Sequence, residues 1–413
     1  MLDRENEGES RWTATAQLPV FAPLDKSMDV DVVVIGGGIA GITAAYLLKQ
    51  AGVRVVVLEK DRCGGGETGR STAHVTAVTD VPLTRLVERI GARQARAVWA
   101  AGFAAIARIR AEVRDSRIKC DFGWVRGCLH APREWPAAQA REVLAQEAAM
   151  AHALDIDAKY TDHVPGLGRP GVWFDGQARL HPLRYLSVLL DRIHGDGSAV
   201  CEHSAVDEID VEARTVRSGR FVVSARYLVI ATHVPLALST AGVPDLRKAV
   251  AVSTSYAISG TVPRGALEEG LYWEHGDAPH NYLRVDRDGG RDVVICGGVD
   301  HGAAALESAA DKLLRLDRQL ARHVPDVRVD HRWSGTIVSS TDGRPHIGEM
   351  CPGVFVATGF GGNGMTFGTL AGMMAVDAAR GSRGPWSDLF DPRRPLLTGS
   401  DERLGVAHAA VKG

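Results

Sequence analysis

The 413-residue chain lacks paired cysteines. Six stand at positions 63, 120, 128, 201, 296 and 351, and no two have C-x-x-C spacing. Disulfide frameworks and zinc sites need tighter patterns, so neither these nor any other metal site is expected. Cys128-Leu-His130 and Cys201-Glu-His203 each have the form of half an iron–sulfur motif, but no C-x-x-H partner follows either, and all six cysteines read as ordinary thiols. Basic runs are missing too: no Lys/Arg run exceeds two residues and the formal net charge is -2, which argues against a sequence-independent nucleic-acid binder. No apolar stretch reaches the roughly 18 residues of a membrane span. The first 30 residues contain no apolar core of a secretory signal. A cytoplasmic protein with no membrane span is expected. No internal repeat or low-complexity segment interrupts the reading.

What is present begins at Asp31. Asp31 to Ile35 is an apolar run, Gly36-Gly-Gly-Ile-Ala-Gly41 follows, then an apolar helical stretch to Gly52, then Val53 to Glu59. An unbroken apolar run suits a strand buried on both faces, and Gly52 suits a helix stop, so the stretch reads as a βαβ unit. Gly36, Gly38 and Gly41 match the dinucleotide fingerprint of tight turn, close approach to a pyrophosphate and close helix–strand packing. Glu59 closes the second strand roughly 20 residues on, where an acid takes ribose hydroxyls. A chance glycine-rich turn is the bland alternative. Strand, turn, helix, strand and acid in that order argue against it.

The next stretch, Lys60 to Thr72, is a loop of small and hydroxyl residues containing Arg70, able to lie along an extended cofactor with Arg70, Ser71 and Thr72 on phosphate or ribityl oxygens. Here the chain resembles the D-amino-acid oxidase and glycine oxidase superfamily of FAD-dependent oxidoreductases. The resemblance extends to Arg226–Thr232, to Thr341-Asp-Gly-Arg-Pro-His-Ile-Gly348 and to Val354–Thr366. It implies an α/β fold: a Rossmann-like FAD-binding βαβ domain and a substrate domain built on a mixed antiparallel sheet. It also implies FAD contacts from Gly36, Gly38, Ile39, Ala40, Gly41, Glu59, Lys60, Gly66, Thr68, Arg70, Ser71 and Thr72, with Val206 offering backbone bonds to adenine and Thr232 nearby. Gly361, Gly362, Asn363, Gly364, Met365 and Thr366 complete the set. Gly359, Gly361 and Gly364 repeat the G-x-G-x-x-G spacing, but no second βαβ strand or acid follows. A helix start whose N–H groups face the flavin, favouring the charge gained on reduction, is the simpler reading. Ser71-Thr-Ala-His74 resembles the segment of dimethylglycine and sarcosine dehydrogenases whose histidine bonds covalently to flavin. A histidine packing at the ring edge is the reading preferred for His74, with the covalent link as its alternative.

At this length two domains are expected. A leader at 1–30 precedes an FAD-binding domain at 31–82, 150–245 and 335–385, a substrate domain at 83–149 and 246–334, and a tail at 386–413. Leu83, Leu86, Val87 and Ile90, then Ile106, Ile109 and Val113, have helical spacing, as do Leu183, Leu186, Leu190 and Ile193 behind Pro182, and Leu306, Leu313, Leu316 and Leu320. Short β-rich runs fill 204–232. Alternating runs at Val250–Ile258, Asn281–Val285 and Val293–Cys296 suggest an antiparallel floor over the flavin. Leader and tail resemble a subgroup carrying an additional Rieske domain; the sequence stops at Gly413 without one, so that subgroup's electron relay is not expected here.

The resemblance implies oxidation of a C–N bond in an amino acid or a secondary or tertiary amine, with hydride passing to flavin N5. Oxygen, a quinone or a redox protein is the implied electron acceptor. Tyr282, Arg284 and His346 are the candidates for catalysis, with Trp333 and Arg344 also on the expected substrate face; an arginine could clamp a carboxylate through two parallel bonds. A C–OH dehydrogenase of the same fold, or a flavin-bound electron-transfer subunit without turnover, remain alternatives.

Overall fold

In the computed structural model, which describes residues 8–236, 245–276, 281–301 and 307–395, the chain forms two sheets and passes between them several times, first through the loop that follows Val55–Leu58. The first is eight-stranded and begins from the valine run of Met28–Ile35. Val32, Val33, Val34 and Ile35 are buried, as are all four residues of Val55–Leu58, because both faces of a parallel sheet are covered. Strand order is His346–Cys351, Val354–Thr358, Phe221–Ile230, Met28–Ile35, Val55–Leu58 and Ala199–Cys201, parallel except for the first pair. The hairpin Glu208–Asp210 and Thr215–Ser218 hangs on Phe221–Ile230 as the short β runs predict.

Two helices cross over this sheet in direct contact. Ile39–Gln50 follows the glycine turn, and Gly364–Ala379 lies so close against it that a Cβ on Gly372 would stand 2.9 Å from the backbone nitrogen of Ala44. Fully burying an aliphatic side chain gains about 1.5–3 kcal/mol, and both helices are buried along most of their length.

The second sheet has nine strands, ordered Arg328–Ser340, Val250–Pro263, Arg291–His301, Tyr282–Asp286, Gly270–Glu274, Gly123–His130, Gly171–Arg179 and His74–Val75, with Ala158–Thr161 beside Gly171–Arg179. Its neighbours are antiparallel except Gly270–Glu274 with Gly123–His130. One face packs Ile258, Leu283, Val285 and Cys296 against Leu316 and Leu320 of the helix Ala309–His323. Leu306, expected on that helix, lies outside the described residues. The other face carries Leu129, Leu271, Trp273 and Trp333 into the main core.

Strand pairing departs from the expected segment boundaries. Ala158–Thr161 and Gly171–Arg179 join the second sheet, so the stretch from 150 to about 180 goes with the segment expected to bind substrate, not with the nucleotide sheet. The reason is a long-range partner: Gly171–Arg179 pairs with Gly123–His130, a contact that no local period announces. His74–Val75 is the outer strand beyond it. The stretch following Glu59 is therefore the first crossover from one sheet to the other. Among the described residues no helix is long and apolar enough to cross a membrane.

Candidate active site

The glycine turn closes tightly. Gly36 has φ +110°, and a Cβ there would fall 2.4 Å from the Ala231 carbonyl oxygen; one on Gly41 would fall 2.0 Å from the Gly36 oxygen. Ile39 and Ala40 open the helix, whose first N–H groups have no intrahelical acceptor. The Ile39 N–H donates to Thr68 Oγ1 at 2.9 Å, so the crossover loop caps this helix from outside. Glu59 accepts from the Gly37 N–H at 2.6 Å and from the Asp61 N–H at 2.9 Å, holding its carboxylate at the edge of the turn. The 201–206 loop runs alongside, Ser204 N–H donating to Glu59 O at 2.8 Å, with Val206 half-buried at its end. Lys60 is solvent-facing, 3.7 Å from Asp61. Thr232 follows the strand end that abuts Gly36, its hydroxyl donating to Val234 O.

The crossover loop is stitched to three distant segments. Trp12 Nε1 donates to Ser71 O at 2.6 Å, and Trp333 Nε1 to Arg70 O at 2.7 Å. Arg70 itself donates to Ser334 O. Farther along, Asn363 Nδ2 donates to Val78 O at 2.8 Å, the Thr366 hydroxyl to Thr76 O at 2.8 Å, and the Gly362 N–H to Asp80 Oδ2 at 2.7 Å. Gly361 donates to Val338 O, and Met365 is buried. The loop after Glu59 and the turn 361–366, far apart in sequence, thus form one wall. Gln177, missed by sequence reasoning, holds that wall from the second sheet, accepting from both the Thr76 hydroxyl and the Ala77 N–H.

His74 sits where the two sheets meet. Its Nδ1 lies 3.0 Å from Thr72 Oγ1, its Nε2 has no hydrogen-bond partner, and Trp273 and Tyr282 pack on the ring at 5.7 and 5.8 Å. Burial, helped by the Arg284 charge, pulls its pKa down to about 3, so the imidazole is neutral.

A model of the FAD dependent oxidoreductase family matches residues 31–378, nearly all of both sheets. The chain belongs to that family. It is 28% identical over 416 residues to a putative Rieske 2Fe-2S iron-sulfur protein of Bacillus subtilis, an alignment covering 98% of this chain and 80% of that one. It is 26% identical over 375 residues to the gamma-glutamylputrescine oxidoreductase of Escherichia coli, covering 87% and 86%. Its fold matches the crystal structure of glycine oxidase from Geobacillus kaustophilus with a TM-score of 0.72 at 18% identity, over 90% of this chain and 100% of that one. The protein is accordingly an FAD-dependent enzyme of D-amino-acid oxidase-like fold.

Its residues suit the cofactor on two observations. Gly66 and Gly364 front open space, a Cβ on either meeting no atom within 4 Å, while the buried Nε2 of His74 is unsatisfied.

The three residues expected to act in catalysis are not brought together. Arg284 is only 1% exposed, and it is no free clamp: Nε and Nη2 grip the Asp286 carboxylate at 2.8–3.1 Å and Nη1 donates to Ala73 O at 2.9 Å. It ties the crossover loop to the sheet. His346 belongs to the other sheet, beside Ser340 and Arg394, where burial and the Arg394 charge lower its pKa to about 4. Arg344 is engaged by Asp342 at 2.8 Å, and Trp333 is spent on Arg70. Tyr282, two residues from Arg284 on the same strand, packs its ring on His74; its hydroxyl shares a 2.8 Å hydrogen bond with Ser255 Oγ, and burial raises its pKa.

A narrow cleft, open to solvent, lies beside this junction. Trp273, which packs on His74, and Asp80, which holds Gly362, both line it, together with Trp99, Phe174, Glu147 and His275. Sequence reasoning missed these residues. Glu147 stands in a helical run and His275 at a strand end, with no motif around either.

Proposed function

We propose that this FAD-dependent oxidoreductase oxidises a C–N bond, with the first sheet holding the cofactor and the second shaping the substrate site. The observation that carries this reading is the cavity sharing Trp273 and Asp80 with the wall formed by His74 and the 361–366 turn. Backbone N–H groups of the Gly36–Gly41 turn and the Glu59 carboxylate would hold the dinucleotide ends, with Arg70, Ser71, Thr72 and the 362–366 turn along its length. Bound FAD supplies a two-electron acceptor for hydride. The carbon beside nitrogen gives up hydride, the nitrogen gives up a proton, and water hydrolyses the resulting imine to a carbonyl and a free amine or ammonia. Apolar side chains exclude bulk water from that carbon. His275, 3.5 Å from Glu147, is placed to receive the ammonium proton. The names of the relatives, a glycine oxidase and a gamma-glutamylputrescine oxidoreductase, support nitrogen compounds as substrates.

The same His275–Glu147 pair suits a C–OH dehydrogenase, which needs a base for the hydroxyl proton. Anaerobic visible spectra with amines, amino acids and 2-hydroxy acids added singly separate the two. Loss of the oxidised flavin band with a nitrogen compound is the expected outcome. Bleaching by hydroxy acids alone would overturn it.

A further inference from the structure

The cavity's charge is one-sided. Asp80, Glu147 and Glu274 line it, and no lysine or arginine does among the described residues. A carboxylate-bearing substrate needs a cationic partner, ordinarily an arginine fork. The two arginines expected on the substrate face are both consumed, Arg284 by Asp286 and two backbone carbonyls and Arg344 by Asp342.

Two buried groups in the wall are unsatisfied. His275 is 8% exposed, its Nδ1 has no hydrogen-bond partner and its Nε2 has only the Glu147 carboxylate at 3.5 Å, outside hydrogen-bond geometry; Trp99 is 1% exposed and its Nε1 has no partner among the described residues. Unsatisfied buried donors and acceptors are rare in folded proteins, and their convergence on one cavity marks a place where a ligand completes them. Glu147, 1% exposed, caps the helix Leu83–Ile90 by accepting from the Leu83 N–H at 3.0 Å and from the Thr84 N–H and hydroxyl, and no lysine or arginine pairs with it among the described residues. Between these polar groups stand the faces of Trp99, Phe174 and Trp273, surfaces that attract ammonium and pack alkyl chains.

We infer that the cavity takes an alkylamine or arylalkylamine without an α-carboxylate. Its positive charge is received by Asp80 and Glu147, its N–H groups by His275, and its hydrocarbon part by the three aromatic side chains. The inference rests on the C–N reading for the bond broken, but the preference for cation over carboxylate stands on the wall alone. A carboxylate set beside Glu147 and Asp80 would be repelled and left without a donor.

The test uses matched pairs that differ only in the carboxylate: butylamine against norvaline, benzylamine against phenylglycine, 1,4-diaminobutane against ornithine. Anaerobic bleaching of the holoenzyme by each amine is expected at a concentration at least tenfold below its partner. In parallel, calorimetric titration with butyltrimethylammonium and with pentanoate reads binding without turnover, and the cation alone is expected to bind. Asp80→Asn, at the exposed rim, should weaken cation binding about fivefold or more; because Asp80 also accepts from Gly362, its FAD content is measured alongside and binding is compared at equal occupancy. Glu147→Gln should do the same; because Glu147 caps a helix, its melting temperature is measured alongside and the rim variant decides if it fails to fold. Norvaline or pentanoate performing as well as its cationic counterpart overturns the inference and leaves the C–N reading intact. Cation binding with bleaching by hydroxylated compounds alone overturns the C–N reading and leaves the cation preference standing. Binding of neither ion overturns the inference.

Discussion

His74 and Arg284 show how two residues near one junction divide the work. Arg284 is a neutralised strut, its charge spent on Asp286 and its remaining N–H groups on the backbone beside His74. His74 is left with one satisfied nitrogen and one free, in a pocket of aromatic rings that keeps it neutral. We propose that this neutral imidazole is a hydrogen-bond partner for the cofactor. His74→Phe fills the space but offers no nitrogen, and should lower FAD retention on gel filtration while leaving the secondary structure unchanged. In the wild type, acid precipitation should release the yellow colour to the supernatant; a yellow pellet would establish a covalent bond instead. The Ser71–His74 stretch identifies this residue, but its unsatisfied nitrogen is visible only once Trp273 and Tyr282 arrive from another sheet.

At the scale of elements, the pairing of Ile39–Gln50 with Gly364–Ala379 controls the cradle. Each helix starts at a glycine-rich turn, and their contact at Gly372 sets how far apart those turns stand. Gly372→Val would push side-chain carbons into Thr43 and the Ala44 backbone. Overpacking of this kind costs about 1–3 kcal/mol, and the expected result is a lower melting temperature and weaker FAD binding in the same variant, read by denaturation and flavin release. The first βαβ unit is legible in sequence because apolar runs, glycines and acid all lie within one short stretch. The helices at 83–115 and 182–193 are legible by period for the same reason. Ala158–Thr161 and Gly171–Arg179 are not, since their place depends on pairing with Gly123–His130. Arg284 illustrates the same limit at a site: a strand arginine reads as a clamp until Asp286, two residues on, is seen to fold back onto it. Asp80, Glu147 and His275 meet only through tertiary packing, and no spacing in the chain announces them.

Across the whole molecule, buried neutral histidines couple stability to pH. His74 and His130 have pKa values lowered to about 3 and His346 to about 4 from 6.5, chiefly by burial. Unfolding frees each to take up a proton, so the unfolded chain binds more protons below 6.5. Their contribution is complete above that pH and is lost as pH falls through the interval down to 3–4, at up to about 1.4 kcal/mol per pH unit for each. Asp342 acts lower. Burial raises its pKa, but hydrogen bonds and charge from Arg394 and Arg344 outweigh this and hold it below the ordinary 3.8, so its contribution is lost as pH falls beneath that value. Denaturant unfolding should show stability falling steadily from pH 7 to 4, and Arg394→Ala should remove part of the further decline below 4. Little change between pH 7 and 4 would contradict the buried, neutral state of these histidines. The two-sheet division and the family were legible in sequence; the crossover at 59–80, which belongs to both, was not. That loop takes hydrogen bonds from Trp12 behind it and from Trp333, Gly362, Asn363 and Thr366 far ahead. The order of synthesis follows from this. A ribosome finishes the glycine turn early, yet the opposite wall is not made until residue 366, so a nascent chain carries an unclosed cradle for most of its translation.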